Sequence, residues 1–185
     1  MKVVGIVGSA RRGGNTEILT RTALEEIQKE GLETELISLA DKRIEPCDGC
    51  RSCAETGKCH IKDDFDSVFA KMKEADGIIL STPVYYGAAS PQIVSLISRF
   101  YATRGKPLKG KVGGPIVVAR RAGQNFTFAQ LMFFFMISEM IVPGSSYWNV
   151  AFGRSKGDVL KDEEGINTVK HFGHNVAWLL KKISA

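Results

Sequence analysis

All four cysteines of the chain fall in one short stretch, spaced Cys47-x2-Cys50-x2-Cys53-x5-Cys59. Thiolates so spaced can wrap around one small inorganic centre, and such a centre would make the protein an electron carrier. Cysteines at intervals of three cannot all face one way on a regular helix or strand, so the segment is expected to be a loop folded around something. Gly49 and Gly57 give that loop backbone freedom.

Four occupants compete for the loop. An iron-sulfur cluster takes four thiolates, although the run is not the bacterial ferredoxin motif, in which the fourth cysteine follows after three residues and precedes proline. Zinc takes four sulfurs too, usually from two separated pairs. A redox-active dithiol or unligated cysteines complete the set. In a reducing compartment, structural disulfides are the least expected use of clustered cysteines.

A second chemistry-bearing run is Ser9-Ala10-Arg11-Arg12-Gly13-Gly14-Asn15-Thr16. Its hydroxyls, guanidinium groups and free N–H groups stand between an apolar run and a helical pattern, where a phosphate is readily held. It lacks the Gly-Lys-Ser/Thr ending of a nucleoside-triphosphatase loop and the glycine spacing of a dinucleotide fingerprint. A plain glycine turn capped by Asn15 or Thr16 would read the same way. Pro83-Val84-Tyr85-Tyr86-Gly87 could border a planar aromatic ligand, and Arg120-Arg121-Ala122-Gly123-Gln124-Asn125 could edge the same ring; a strand-end turn and an exposed basic loop are the bland readings. His60, His171 and His174 make no site, and Asp63-Asp64 has no evident use beyond helix N-terminal charge.

These segments need elements to position them. Strands are expected at residues 2 to 8, Glu33 to Leu39, Gly77 to Thr82, Ile116 to Ala119, and within Ile141 to Phe152. Between them lie helical stripes. Leu19, Ala23, Leu24 and Ile27 mark the first, and Phe65, Val68, Phe69 and Met72 the second, with Asp63-Asp64 as N-cap candidates. Ile93, Leu96, Ile97 and Phe100 follow Pro91, then come Phe126 to Met140 and a last stripe from Ile166 to Leu180. Alternation of this kind predicts an α/β fold, a doubly wound five-stranded parallel sheet with helices on both faces, and ligands at the carboxyl ends of the strands. Residues 9–16, 40–63, 83–90 and 120–125 should therefore line the site, in one domain over 1–185 with a cysteine-rich loop at 45–62.

The 185 residues are 44% hydrophobic and 24% charged, with no repeat or low-complexity tract. The net charge of +5 gathers at Arg11-Arg12, Arg99 to Lys111 and Arg120-Arg121, which favours anionic partners. No nucleic-acid-binding motif accompanies it, so a phosphate-bearing cofactor or an acidic redox partner is expected instead. Gln130, Ser138 and Glu139 interrupt the apolar Phe126 to Val142 stretch before it could span a bilayer, so a buried or subunit-contacting helix is expected there. The N-terminus lacks a signal-peptide pattern, which gives a cytoplasmic expectation.

Taken together, the first loop, the cysteine run, Asp63-Asp64-Phe65 and Ser81-Thr82-Pro83-Val84-Tyr85-Tyr86-Gly87 resemble the iron-sulfur flavoproteins, within the NAD(P)H-dependent FMN reductases. That resemblance implies a flavodoxin-like fold. It implies that Ser9, Arg11, Gly14, Asn15 and Thr16 hold the FMN phosphate and that Pro83, Val84, Tyr85, Tyr86 and Gly87, with Arg121 and Gly123, border the flavin ring. It also implies that Cys47, Cys50, Cys53 and Cys59 hold one [4Fe-4S] cluster, in a homodimer or homotetramer that pairs cluster and flavin across subunits. The donor would be a ferredoxin or NAD(P)H, and the acceptor oxygen, peroxide or a quinone. Ala10 replaces a frequent proline and Ser98-Arg99 a frequent Asp-Arg pair, departures expected to touch neither phosphate nor thiolates. A cluster-free NAD(P)H-dependent FMN or quinone reductase is one alternative, a redox-sensing binding module another.

Overall fold

The structure is a computed structural model that describes residues 1–102 and 107–184; Arg104 and Lys106 of the basic run lie outside them. In β1 (Lys2–Val7), Val3, Val4, Ile6 and Val7 are fully buried, as expected of a parallel strand covered on both faces. The chain continues through α1 (Asn15–Lys29), β2 (Glu33–Ser38), α2 (Cys53–Thr56), α3 (Phe65–Glu74) and β3 (Gly77–Tyr85). It then runs through β4 (Ala88–Ala89), α4 (Pro91–Ser98), β5 (Val112–Ala119), α5 (Gln124–Ile137), β6 (Val150–Phe152) and α6 (Glu163–Ile183).

Five strands pair in parallel in the order β2-β1-β3-β5-β6, while β4 folds back antiparallel on the end of β3. The chain leaves β1 toward β2 and returns past it to β3, so the order reverses between β1 and β3. A ligand crevice opens at such a switch point. One core, with Ile6, Leu80, Phe65, Ile93 and Phe135, joins the sheet to α3, α4 and α5. The other, with Val3, Ile79, Leu19, Val176 and Phe172, joins it to α1 and α6.

Several bounds differ from the sequence expectation. β5 begins at Val112 rather than at the expected Ile116, because Gly113-Gly114-Pro115 is fully buried between neighbouring strands. A Cβ at Gly113 would lie 1.8 Å from the Ile78 carbonyl oxygen, so only glycine permits this backbone approach. Gly113→Ala is expected to cost about 3 kcal/mol or more, read as a lower urea midpoint. α5 ends at Ile137, since Glu139 turns left-handed at φ 54, and it is buried on one face only: Leu131 and Phe135 are covered, whereas Phe126, Phe133, Met136 and Ile137 are exposed. Among the described residues no helix is long and apolar enough to cross a membrane.

Candidate functional site

The loop after β1 is shaped by its own side chains. Ser9 Oγ accepts the Arg11 N–H at 3.1 Å, and Glu17 accepts the Gly13 N–H at 2.8 Å while pairing with Arg21. Burial pushes the Glu17 carboxyl up, but that N–H and Arg21 outweigh it and hold its pKa below the usual value. Gly14 is the N-cap of α1 and offers no side-chain acceptor, so the first N–H groups of the helix remain available to an anion. They face a cleft of about 590 Å³, the size of a small-molecule site.

Ser9, Arg11, Gly14, Asn15, Thr16, Pro83, Val84 and Tyr85 line this cleft, together with Val118, Arg120 and the run Gly153-Arg154-Ser155-Lys156. Tyr86, Gly87, Arg121 and Gly123 do not. Tyr86 and Gly87 form the tip of the β3–β4 hairpin at φ 52 and φ 80, and the Tyr86 ring points entirely into solvent. Gly123, at φ 90, packs on that tip, since a Cβ there would lie 3.0 Å from Gly87 Cα. The cation from the β5 loop that reaches the cleft is Arg120, not Arg121. Arg12 instead pairs with Asp41.

Asn15 has a different use from the one its type suggests. Its Nδ2 donates to the Ser155 carbonyl at 2.8 Å, and its Oδ1 accepts the N–H groups of Gly157 at 2.8 Å and Val159 at 3.4 Å. It ties the loop after β6 to the loop after β1 and thereby sets Arg154 and Lys156 beside the cleft. Loss of these bonds in Asn15→Ala is expected to cost about 1–3 kcal/mol and to speed amide exchange in residues 153–159, measured by urea unfolding and hydrogen exchange.

The cysteine loop is the second feature. All four cysteines are free, with Cys47 and Cys50 exposed and Cys53 and Cys59 partly covered. The segment is not wholly irregular, because α2 gives Cys53 one helical turn that closes on Gly57 in the left-handed conformation. The Gly49 N–H donates to Cys47 Sγ at 3.4 Å. His60, expected to be incidental, sits with Nε2 2.6 Å from Asp48 Oδ2 and fastens the two ends of the run together. The Cys50 N–H and thiol, followed by His60, hold the Asp48 carboxyl down to about 2.

A tetrahedral zinc with bonds of about 2.3 Å would draw its sulfurs to about 3.8 Å from one another. Among the described residues no three of the four cysteine sulfurs lie mutually within 4.8 Å; the group that does is Asp48, Cys50 and His60, already bonded to one another. Four sulfur donors on one loop are the ligand type and number that an iron-sulfur cluster takes.

Asp63 and Arg99 hold this loop. Their side chains are 1% and 0% exposed, and Arg99 Nη1 donates to Asp63 Oδ2 at 2.5 Å. Asp63 also accepts the N–H of Glu45, just before the first cysteine, at 2.8 Å and that of Phe65 at 3.0 Å. Arg99 Nη2 donates to the carbonyl of Ile61, just after the last cysteine, at 3.2 Å, and the guanidinium lies 4.3 Å from the centre of the Phe65 ring. Ser98 Oγ accepts the Cys47 N–H at 3.1 Å. The pair at the end of α4 therefore does touch the thiolate loop, contrary to the sequence expectation. Asp63 is likewise a buried counter-ion rather than a simple cap, and Asp64 makes no side-chain cap.

This sheet order, the cationic cleft at its switch point and the four-thiol loop after its second strand, together with the relatives that the chain matches, make it a flavin-dependent oxidoreductase of flavodoxin-like architecture. The family model for NADPH-dependent FMN reductase matches residues 1–155. An iron-sulfur flavoprotein of Methanocaldococcus jannaschii is 47% identical over 99% of both chains, and one of Methanosarcina thermophila is 33% identical over 99% of this chain and 97% of its own. The chain belongs to the NADPH-dependent FMN reductase family and, within it, to the iron-sulfur flavoproteins. Among solved structures, RosB with bound 8-demethyl-8-formylriboflavin-5'-phosphate shares the fold at TM-score 0.80 and 18% identity, over 100% of this chain and 80% of that one.

Proposed function

We infer that this protein passes electrons between a [4Fe-4S] cluster held by Cys47, Cys50, Cys53 and Cys59 and an FMN held in the switch-point cleft. The donor would be a ferredoxin or NAD(P)H, and the acceptor oxygen, peroxide or a quinone. The observation that carries this reading is the presence in one chain of a cationic cleft and a four-thiol loop braced at both ends by a buried ion pair. Bound FMN supplies two-electron capacity that can be filled one electron at a time, which matches a one-electron cluster to a two-electron partner.

The remaining work falls to the side chains. Arg11, Arg154 and Lys156 and the first N–H groups of α1 would neutralise the phosphate, with Ser9 and Thr16 adding hydroxyl donors. Pro83, Val84 and Tyr85 would cover the ring system and exclude water from one side. The exposed apolar face of α5 is the surface we assign to contact with a second copy in a homodimer or homotetramer. Residues 1–185 are taken as one FMN-binding domain, in the reducing cytoplasm where free thiols persist.

Protein purified without oxygen is expected to carry about four irons per chain together with FMN. Flavin without iron would leave the cluster-free reductase, a reading favoured by the exposure of Cys47 and Cys50. Rapid mixing separates the donors: fast flavin reduction by NAD(P)H supports hydride transfer, whereas an inert nicotinamide and fast reduction by ferredoxin support the electron carrier.

A further inference from the structure

Arg99 is fully buried in the wall of the cavity that Cys47, Cys50, Cys53 and Cys59 enclose. Two of its three nitrogens are spoken for, Nη1 by Asp63 and Nη2 by the Ile61 carbonyl. Its Nε–H is buried and has no acceptor. An unmet cationic donor away from water is costly, because it has lost its hydration and gained nothing in return. The same guanidinium interacts with Cys59, and Arg99 lines one cavity with all four cysteines, so a sulfur of that cavity is the acceptor nearest to hand. Four hydrogen bonds fix its position: two hold the head of Arg99, and two more hold Asp63 against Glu45 and Phe65. Relaxation cannot easily carry the donor back to solvent.

We propose that Arg99 Nε–H donates a charge-assisted hydrogen bond to a sulfur of the group held by the four cysteines, and so makes Arg99 a positioning residue that sets the ease of that group's reduction. The proposal rests on the cluster reading above. Reduction adds one electron and one negative charge to the cage. A cationic N–H on sulfur stabilises the more negative state, so it raises the reduction potential. Ser98 has a different part, because its Oγ accepts from the Cys47 backbone and places no charge near sulfur. Arg51 also borders the cavity but is exposed.

The test uses the iron-loaded protein under anaerobic conditions, with redox titration followed by electron paramagnetic resonance. Arg99→Lys retains the charge for Asp63 but has no Nε–H, and is expected to disfavour reduction about tenfold, a shift of about 59 mV for one electron. Ser98→Ala is expected to release iron faster to a chelator at an unchanged midpoint. Wild-type protein labelled with 15N at arginine Nε should show a nitrogen coupling to the reduced cluster that Arg51→Lys retains, a measurement that stands even where Arg99→Lys does not fold. A wild-type midpoint in iron-loaded Arg99→Lys, an equal shift in Ser98→Ala, or absence of the coupling overturns the proposal and leaves the cluster in place. Wild-type protein without iron overturns the cluster reading and this proposal with it.

Discussion

Removing Arg154 and Lys156 together, as the double alanine variant, is expected to weaken FMN binding about a hundredfold while leaving riboflavin binding within about twofold. Each charge-assisted bond to a phosphate contributes about 1.5–3 kcal/mol when sheltered, so two could account for about 10²- to 10⁴-fold. Both side chains are open to water, which screens them and selects the lower figure. Riboflavin shares the ring but lacks the phosphate, so its affinity isolates what these cations do from what the loop does for the ring. Fluorescence titration of flavin-free protein with both ligands reads the difference, and the gap between them should narrow further in high salt. Equal affinity of the unaltered protein for FMN and riboflavin would show that the phosphate lies elsewhere.

That these two cations escaped the sequence analysis has a physical cause. Residues at the carboxyl end of each strand are candidates in any doubly wound sheet, but β6 is only three residues long and carries no apolar run distinct enough to locate its end. Pro143-Gly144 blurred the other side of that strand. Asn15, by contrast, was visible as a polar residue in a glycine turn, yet nothing local could show that its side chain bonds to residues 155, 157 and 159. The strands β1 and β3 were legible because burial on both faces leaves apolar runs, whereas β2, at the sheet edge, mixes polar residues with Leu36 and Ile37 and buries only Ile37. β5 was half legible: Gly113-Gly114-Pro115 follows turn chemistry locally, and the close approach of Ile78 overrides it.

The cysteine loop shows the same limit in a different form. Its four ligands announce themselves by type and spacing, whereas the pair that braces them is separated by 36 residues. An aspartate before a helix reads as a solvated cap, and an arginine at a helix end reads as a solvated C-terminal charge. Only tertiary burial turns the two into one ion pair, and it is the pair, rather than the loop's own turns, that ties the chain at Glu45 and Ile61.

Asp63→Ala should therefore be among the most damaging single substitutions outside the cysteines, at about 3–5 kcal/mol near neutral pH, since it leaves a buried guanidinium without its counter-ion and frees the Glu45 and Phe65 N–H groups. Asp63→Asn, which keeps the shape and an acceptor oxygen, should cost less. Burial alone would raise the Asp63 pKa, but Arg99 and the two N–H groups outweigh it, so the folded value lies below the ordinary one. A carboxyl so shifted adds stability that is fully present above its unfolded pKa of about 4 and is lost as pH falls through the lower folded value. The difference between wild type and Asp63→Ala should consequently be constant from neutral pH down to about pH 5 and shrink below about pH 4. Urea unfolding at a series of pH values reads this directly. A difference that stayed flat into acid would mean that Asp63 acts by shape and not by charge, and the account of the pair as an electrostatic brace for the cysteine loop would fail.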